Sequence, residues 1–122
     1  MAANKIVRFG PTTCTAAAKN LINPGTATAG TGISPAPATL YVVLRHFRLN
    51  NTTASPITVS MFIGATAGSA AGTEFSPASW SVPANSFVEW AGAVRLDNAD
   101  FLTQTASGAG VTFDGEGEIG VA

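Results

Sequence analysis

The sequence predicts an all-β domain, a two-sheet sandwich or a barrel, behind an extended N-terminal arm. Three observations carry this. From Leu40 onward, one segment after another alternates apolar and polar residues with period two, the pattern of strands with one buried face. Clusters of Gly, Pro, Asn, Asp and Ser separate those segments. No stretch carries the 3.6-residue apolar period of an amphipathic helix, and many short strands without helices build sandwiches and barrels.

Residues 1–39 differ in kind from the remainder of the chain. Lys5 to Phe9 (KIVRF) can form a short strand, and Thr12 to Leu21 suits a turn of helix as well as an edge strand. From Asn23 the text NPGTATAGTGISPAPATL has no periodicity and nothing large to bury, which is the composition of a flexible arm. The domain boundary is therefore placed at residue 39, with 1–39 an arm and 40–122 the folded body. Ile6, Val7, Phe9, Leu21, Ile22 and Ile33 are the apolar groups available to anchor the arm in pockets on a partner chain. The alternative is an arm that folds back over its own sandwich.

Leu40 to Asn51 (LYVVLRHFRLNN) is the spine of the body. Leu40, Val42 and Leu44 share one parity while Phe47 and Leu49 take the other. Both sets reach one core only if an extra residue is inserted around Arg45 and His46, which predicts a β-bulge there. A strand buried on both faces, with Arg45 paired, is the alternative. Asn50 to Pro56 is a turn, and Ile57 to Ile63 a strand with Ile57, Val59, Met61 and Ile63 inward. Gly64 to Thr73 has glycines that superficially resemble a phosphate cradle, but no Lys-Ser/Thr completes it and no helix pattern comes after it, so it reads as a loop.

Glu74 to Trp80 is a short strand and Pro83-Ala84-Asn85 a turn. Phe87 to Leu96 then puts Val88, Trp90, Val94 and Leu96 inward, with Glu89 and Arg95 outward. Gly92 falls on the inward parity, where a missing side chain leaves room for a ring. Asp97 to Asp100 is a tight turn, Phe101 to Thr105 a short strand, and Val111 to Val121 the last one. There Val111, Phe113, Ile119 and Val121 point inward, and Asp114, Glu116 and Glu118 outward. Gly115 and Gly117 leave a shallow inner groove that Trp80 or Trp90 is expected to fill.

At 122 residues the chain is one domain by size. Charged residues make up 11% of it, against ~25% in ordinary domains, and with a net charge of −1 it lacks the basic face that nucleic acid demands. A surface of small neutral residues suits burial against other proteins. The single cysteine, Cys14, forms no intrachain disulfide, and one histidine is too few for a Cys/His zinc site. The start MAANKIVRFG lacks the apolar core of a secretory signal and no run is long enough to span a bilayer, so synthesis in the cytoplasm and no membrane partner are expected. Asn50 and Asn51 head Asn-x-Thr sequons, of little consequence without a secretory route.

Several constellations invite a chemical reading. Glu116 and Glu118 are two residues apart on a strand, about 6–7 Å, within reach of a glycosidase pair; yet the acidic stripe continues to Asp114, which favours a face turned to solvent or to basic groups. Asp97 and Asp100 supply too few oxygens for calcium. Arg45, His46 and Arg48 form the basic cluster, and pairing with Glu89 or the 114/116/118 stripe is its expected role. Tyr41, Trp80 and Trp90 could line a sugar-binding face, but Trp90 lies on the inward parity. No catalytic, metal or cofactor-binding residue is predicted.

The order RHFRLNNTTASPITVSMFIG, a Gly/Ala loop, SVPANSFVEWAGAVRLDNADFL and a Gly-rich final strand resembles small jelly-roll proteins encoded among the virion structural genes of tailed bacteriophages. The resemblance covers residues 40 to 122 and brings no catalytic residues with it. It implies a jelly-roll-like antiparallel sandwich in a virion component: a capsid decoration (cement) protein, homotrimeric, bound to the major capsid protein on the outer surface of the head. The alternative it implies is a tail or baseplate module that binds a host-surface glycan or another tail protein. A sugar binder exposes rings on one surface, whereas a cement protein keeps its rings inside.

Overall fold

In the computed structural model the described residues are 5–24, 40–69, 73–97 and 99–121. They form eight strands and no helix: β1 (Lys5–Thr13), β2 (Lys19–Ile22), β3 (Leu40–Asn51), β4 (Ile57–Gly64), β5 (Glu74–Val82), β6 (Ser86–Leu96), β7 (Phe101–Ala106) and β8 (Val111–Val121). Two four-stranded sheets have the orders β1-β8-β3-β6 and β2-β7-β4-β5, and every pairing is antiparallel. The chain is thus one long hairpin, in which β1 lies beside β8, β2 beside β7, β3 beside β6 and β4 beside β5. Rolling that hairpin so that successive pairs alternate between sheets, joined where β8 meets β3 and β7 meets β4, gives the jelly roll.

The spine bends where its parity changes. Leu44 pairs with Gly117 and His46 with Glu116, so Arg45 has no opposite residue on β8 and is the bulge. Val42, Leu44, Phe47 and Leu49 are consequently all fully buried, while Arg45 and Arg48 point to solvent. The shift passes to β6, where Ala91 and Val94 face His46 and Leu44 with two residues between them. Phe47 is the hub of the core. Trp90 stacks on it at 5.5 Å and 18°, Trp80 meets it edge-on at 5.6 Å, and Phe113 lies 5.5 Å away.

The inner groove at Gly115 and Gly117 is filled by neither tryptophan. Phe113 folds its own ring over Gly115, 3.1 Å from where a Cβ would stand, and at Gly117 the carbonyl of Val43 occupies the space a side chain would need. Trp90 lies two strands from β8 with Phe47 between them, so it covers Gly92 of its own strand instead.

The boundary at residue 39 needs correction. Lys5–Thr13 and Lys19–Ile22 are edge strands of the two sheets, and the corner between them is tied down. Cys14 N–H donates to Val111 O at 2.8 Å, Ala106 N–H to Thr15 O at 2.9 Å, and the buried Gln104 side chain accepts from Thr15 N–H and donates to its hydroxyl, both at 3.2 Å. Phe9, Leu21 and Ile22 are buried in the chain's own core, and Val7 packs against it. These four are core residues rather than anchors for a partner. Their small number of apolar positions hid them from a pattern search, because an edge strand of a sandwich buries few residues and its partners lie about a hundred residues away in sequence. Ile6 is 84% exposed, and Ile33, with the Pro/Gly-rich stretch around it, falls outside the described residues.

Candidate functional site: the charged face

The bulge also decides where the charges go. With Arg45 inserted, Arg45, His46 and Arg48 all leave the core side of β3 and join Arg8 of β1, Asp114, Glu116 and Glu118 of β8, and Glu89 of β6 on one outer surface. The cross-strand neighbours pair. Arg8 grips Asp114 with Nε and Nη2, each 3.1 Å from a different oxygen. Arg45 reaches Glu118 at 2.8 Å, and Arg48 holds Glu89 through Nε at 3.0 Å and through Nη2. His46 Nε2 stands 3.9 Å from the same Glu89 carboxylate. These pairs are solvent-exposed, so each contributes little to stability, about 0–1 kcal/mol; their effect is to neutralise the surface and fix its side chains.

Glu116 is the exception. It lies directly opposite Arg8 on one side and His46 on the other, is exposed, and makes no ion pair or hydrogen bond with a described residue. Around it is an open depression of about 370 Å³ lined by Arg8, His46, Arg48, Asn50, Asp114, Gly115 and Glu116. The Glu116/Glu118 pair is accordingly split, with Glu118 committed to Arg45 and Glu116 facing the depression. Two aromatic residues share the face: Arg48 sits over the Phe87 ring at 4.4 Å and Arg95 over Tyr41 at 4.2 Å.

The opposite surface is of another kind. On the β2-β7-β4-β5 sheet the outward residues of β4, β5 and β7 include Thr58, Ser60, Ser79, Ser81 and Thr105. The loop after β4 folds over the neighbouring part of that sheet: Thr103 Oγ1 donates to Gly68 O at 2.5 Å, and Asn20 donates to Thr66 Oγ1 at 3.0 Å while accepting from Ala67 N–H at 2.7 Å. That loop is a packed cover. Gly68 serves a turn there, its N–H donating to Ala65 O at 2.9 Å.

Two further positions are settled by their bonds. Asn51 is 2% exposed; its amide donates to Ser55 O and Val82 O and accepts from Thr53 N–H, so it closes the β3–β4 turn and offers nothing for a glycan to be attached to. Asp97 and Asp100 are used in their own turn, where Asp100 Oδ2 accepts from Asp97 N–H at 3.2 Å and Asp97 Oδ1 from Arg95 Nε at 2.8 Å. Among the described residues no group of three or more His, Cys, Asp and Glu is arranged to hold a metal ion. What sequence reasoning missed is Phe87, although the signal was present: the residue shares the outward parity of Glu89 and Arg95, which puts its ring on the exposed face. No family model, curated protein or solved structure matches the chain.

Proposed function

We propose that the protein is a structural component of a tailed-phage virion, a decoration protein that binds the outer surface of the capsid through its hydroxyl-rich sheet and stabilises the head. The observation that carries this reading is the asymmetry of the two outer surfaces. One sheet gathers the arginines and most of the carboxylates; the other presents Thr58, Ser60, Ser79, Ser81 and Thr105. The central part of a protein–protein interface is depleted of charge, because each buried charge must be desolvated and paired. Apart from the exposed Glu74 at the start of β5, the outer surface of the second sheet meets that condition. The resemblance of residues 40–122 to small virion proteins supports a phage particle, the major capsid protein as partner and a trimeric arrangement; the jelly-roll topology is compatible with this but by itself assigns no function.

On this reading the chain performs no catalytic step, and the charged sheet faces away from the particle. It is tested by incubating the purified protein with heads assembled without it. Saturable binding that is lost in a Thr58→Glu/Ser81→Glu double variant and kept in Glu116→Gln is the expected result. Failure to bind heads, or labelling of tails alone in whole particles, sinks the proposal.

A further inference from the structure

The hydroxyl groups of Thr58, Ser60, Ser79, Ser81 and Thr105 are unused within the molecule: none of the five makes a side-chain hydrogen bond with a described residue. On the opposite sheet, by contrast, every arginine holds a carboxylate. The strand register sets the hydroxyls out as a small lattice. Ser81 stands beside Thr58 on β5 and β4, and Ser60 beside Thr105 on β4 and β7. Neighbours are about 5 Å apart across the strands, and Thr58 and Ser60 about 7 Å apart along β4.

Given attachment through this sheet, the reading on which the inference rests, we infer that the capsid surface it meets is itself uncharged and polar. Such a surface is a patch of side-chain amides, hydroxyls and free backbone groups. Attachment then runs on neutral hydrogen bonds and not on ion pairs, and it is insensitive to ionic strength.

Neither an apolar nor a charged surface suits these hydroxyls. An apolar one strips each hydroxyl of water and returns no hydrogen bond, which costs free energy at every position. A charged one buries ammonium or carboxylate groups where no counter-charge answers them. The arginines lie on the other sheet and are already paired. On this sheet Lys19 is bonded to Thr13 O at 3.1 Å, and Glu74 stands at the opposite end of β5 from Ser81. A neutral polar surface has neither defect, because a hydroxyl both donates and accepts and rotates to suit the group it meets.

The test places charges of both signs at one position. Thr58 is exposed, so the fold tolerates replacement there, and circular dichroism checks each variant. Binding to heads assembled without the protein is measured for the full chain and for Thr58→Lys, Thr58→Glu and Thr58→Val. Both charged variants should bind about tenfold or more weakly, since an uncharged patch answers neither sign. Thr58→Val should lose about two- to tenfold, the worth of one neutral hydrogen bond. Between about 50 and about 500 mM NaCl the affinity of the parent should change by less than about threefold, because no ion pair is there to be screened. Tighter binding by either charged variant, unchanged binding by both, or a larger fall with salt would overturn the inference while leaving attachment to the head intact. Absence of parent binding at both salt concentrations removes the attachment itself, and this inference with it.

Discussion

At the scale of single residues, Phe47 and Trp90 are neighbours with different weights. Phe47 is fully buried and touches four other rings; its replacement by Ala should cost ~3–5 kcal/mol as a large cavity opens between the sheets. Trp90 is only partly buried, so Trp90→Ala should cost less than Phe47→Ala and still clearly more than Glu89→Ala, whose exposed pairing is worth about 0–1 kcal/mol. Urea denaturation of the three variants checks the order; equal losses at Trp90 and Glu89 would mean the inward set of β6 is misassigned. Cys14 gives a pH dependence. Burial pushes its thiol from an ordinary 9.0 up to about 11, against a smaller opposing pull from Lys19. The unfolded chain releases this proton from about pH 9 and the folded one only near pH 11, so stability is intact below pH 9 and falls as pH rises between the two values. Melting temperatures across that range should drop less in Cys14→Ala than in the parent protein.

At the scale of the element, the bulge in β3 has two effects. It turns Phe47 and Leu49 back into the core, and it sends Arg45, His46 and Arg48 out to meet the carboxylates of β6 and β8. Inserting one alanine between Phe47 and Arg48 exchanges the faces of everything beyond it, whereas Arg45→Ala removes only one exposed ion pair. The insertion is therefore expected to abolish cooperative unfolding, and the alanine variant to lie within about 1 kcal/mol of the parent. Circular dichroism melts of both decide it: a stable insertion variant would show that the strand absorbs an extra residue without penalty. The edges are also interrupted, β1 by the register shift at Gly10–Pro11, β5 by a shift between Phe75 and Trp80, β6 at Gly92–Ala93, while β2 has four residues. Interrupted or short edges resist strand-to-strand association, which leaves the sheet faces as the surfaces for assembly.

At the scale of the whole molecule, the N-terminal strands belong to the sandwich. A chain of residues 40–122 loses the edge of each sheet and uncovers the side chains that Phe9, Cys14, Leu21 and Ile22 pack against. Each of those contacts joins residues distant in sequence, so none survives the truncation. The expected result is a chain that fails to fold or melts far below the full protein, measured by circular dichroism and amide NMR dispersion. A truncated chain with nearly full stability would restore the view of 1–39 as an external arm.

The class of the fold, the body strands with their inward sets, and even the bulge were legible in the amino-acid order, because each is written in a local period that one misplaced residue would break. Val42 with Leu44 and Phe47 with Leu49 could share a core in only one way if neither was to be wasted on solvent. The rest came from three-dimensional packing. The membership of β1 and β2, the stacking of Trp90 on Phe47 and the convergence of Arg8, Glu116, Asn50 and Phe87 on one surface all depend on which strand lies beside which. Strand order in a rolled hairpin joins the first strand to the last, and a pairing over such a distance leaves no period in the sequence to read.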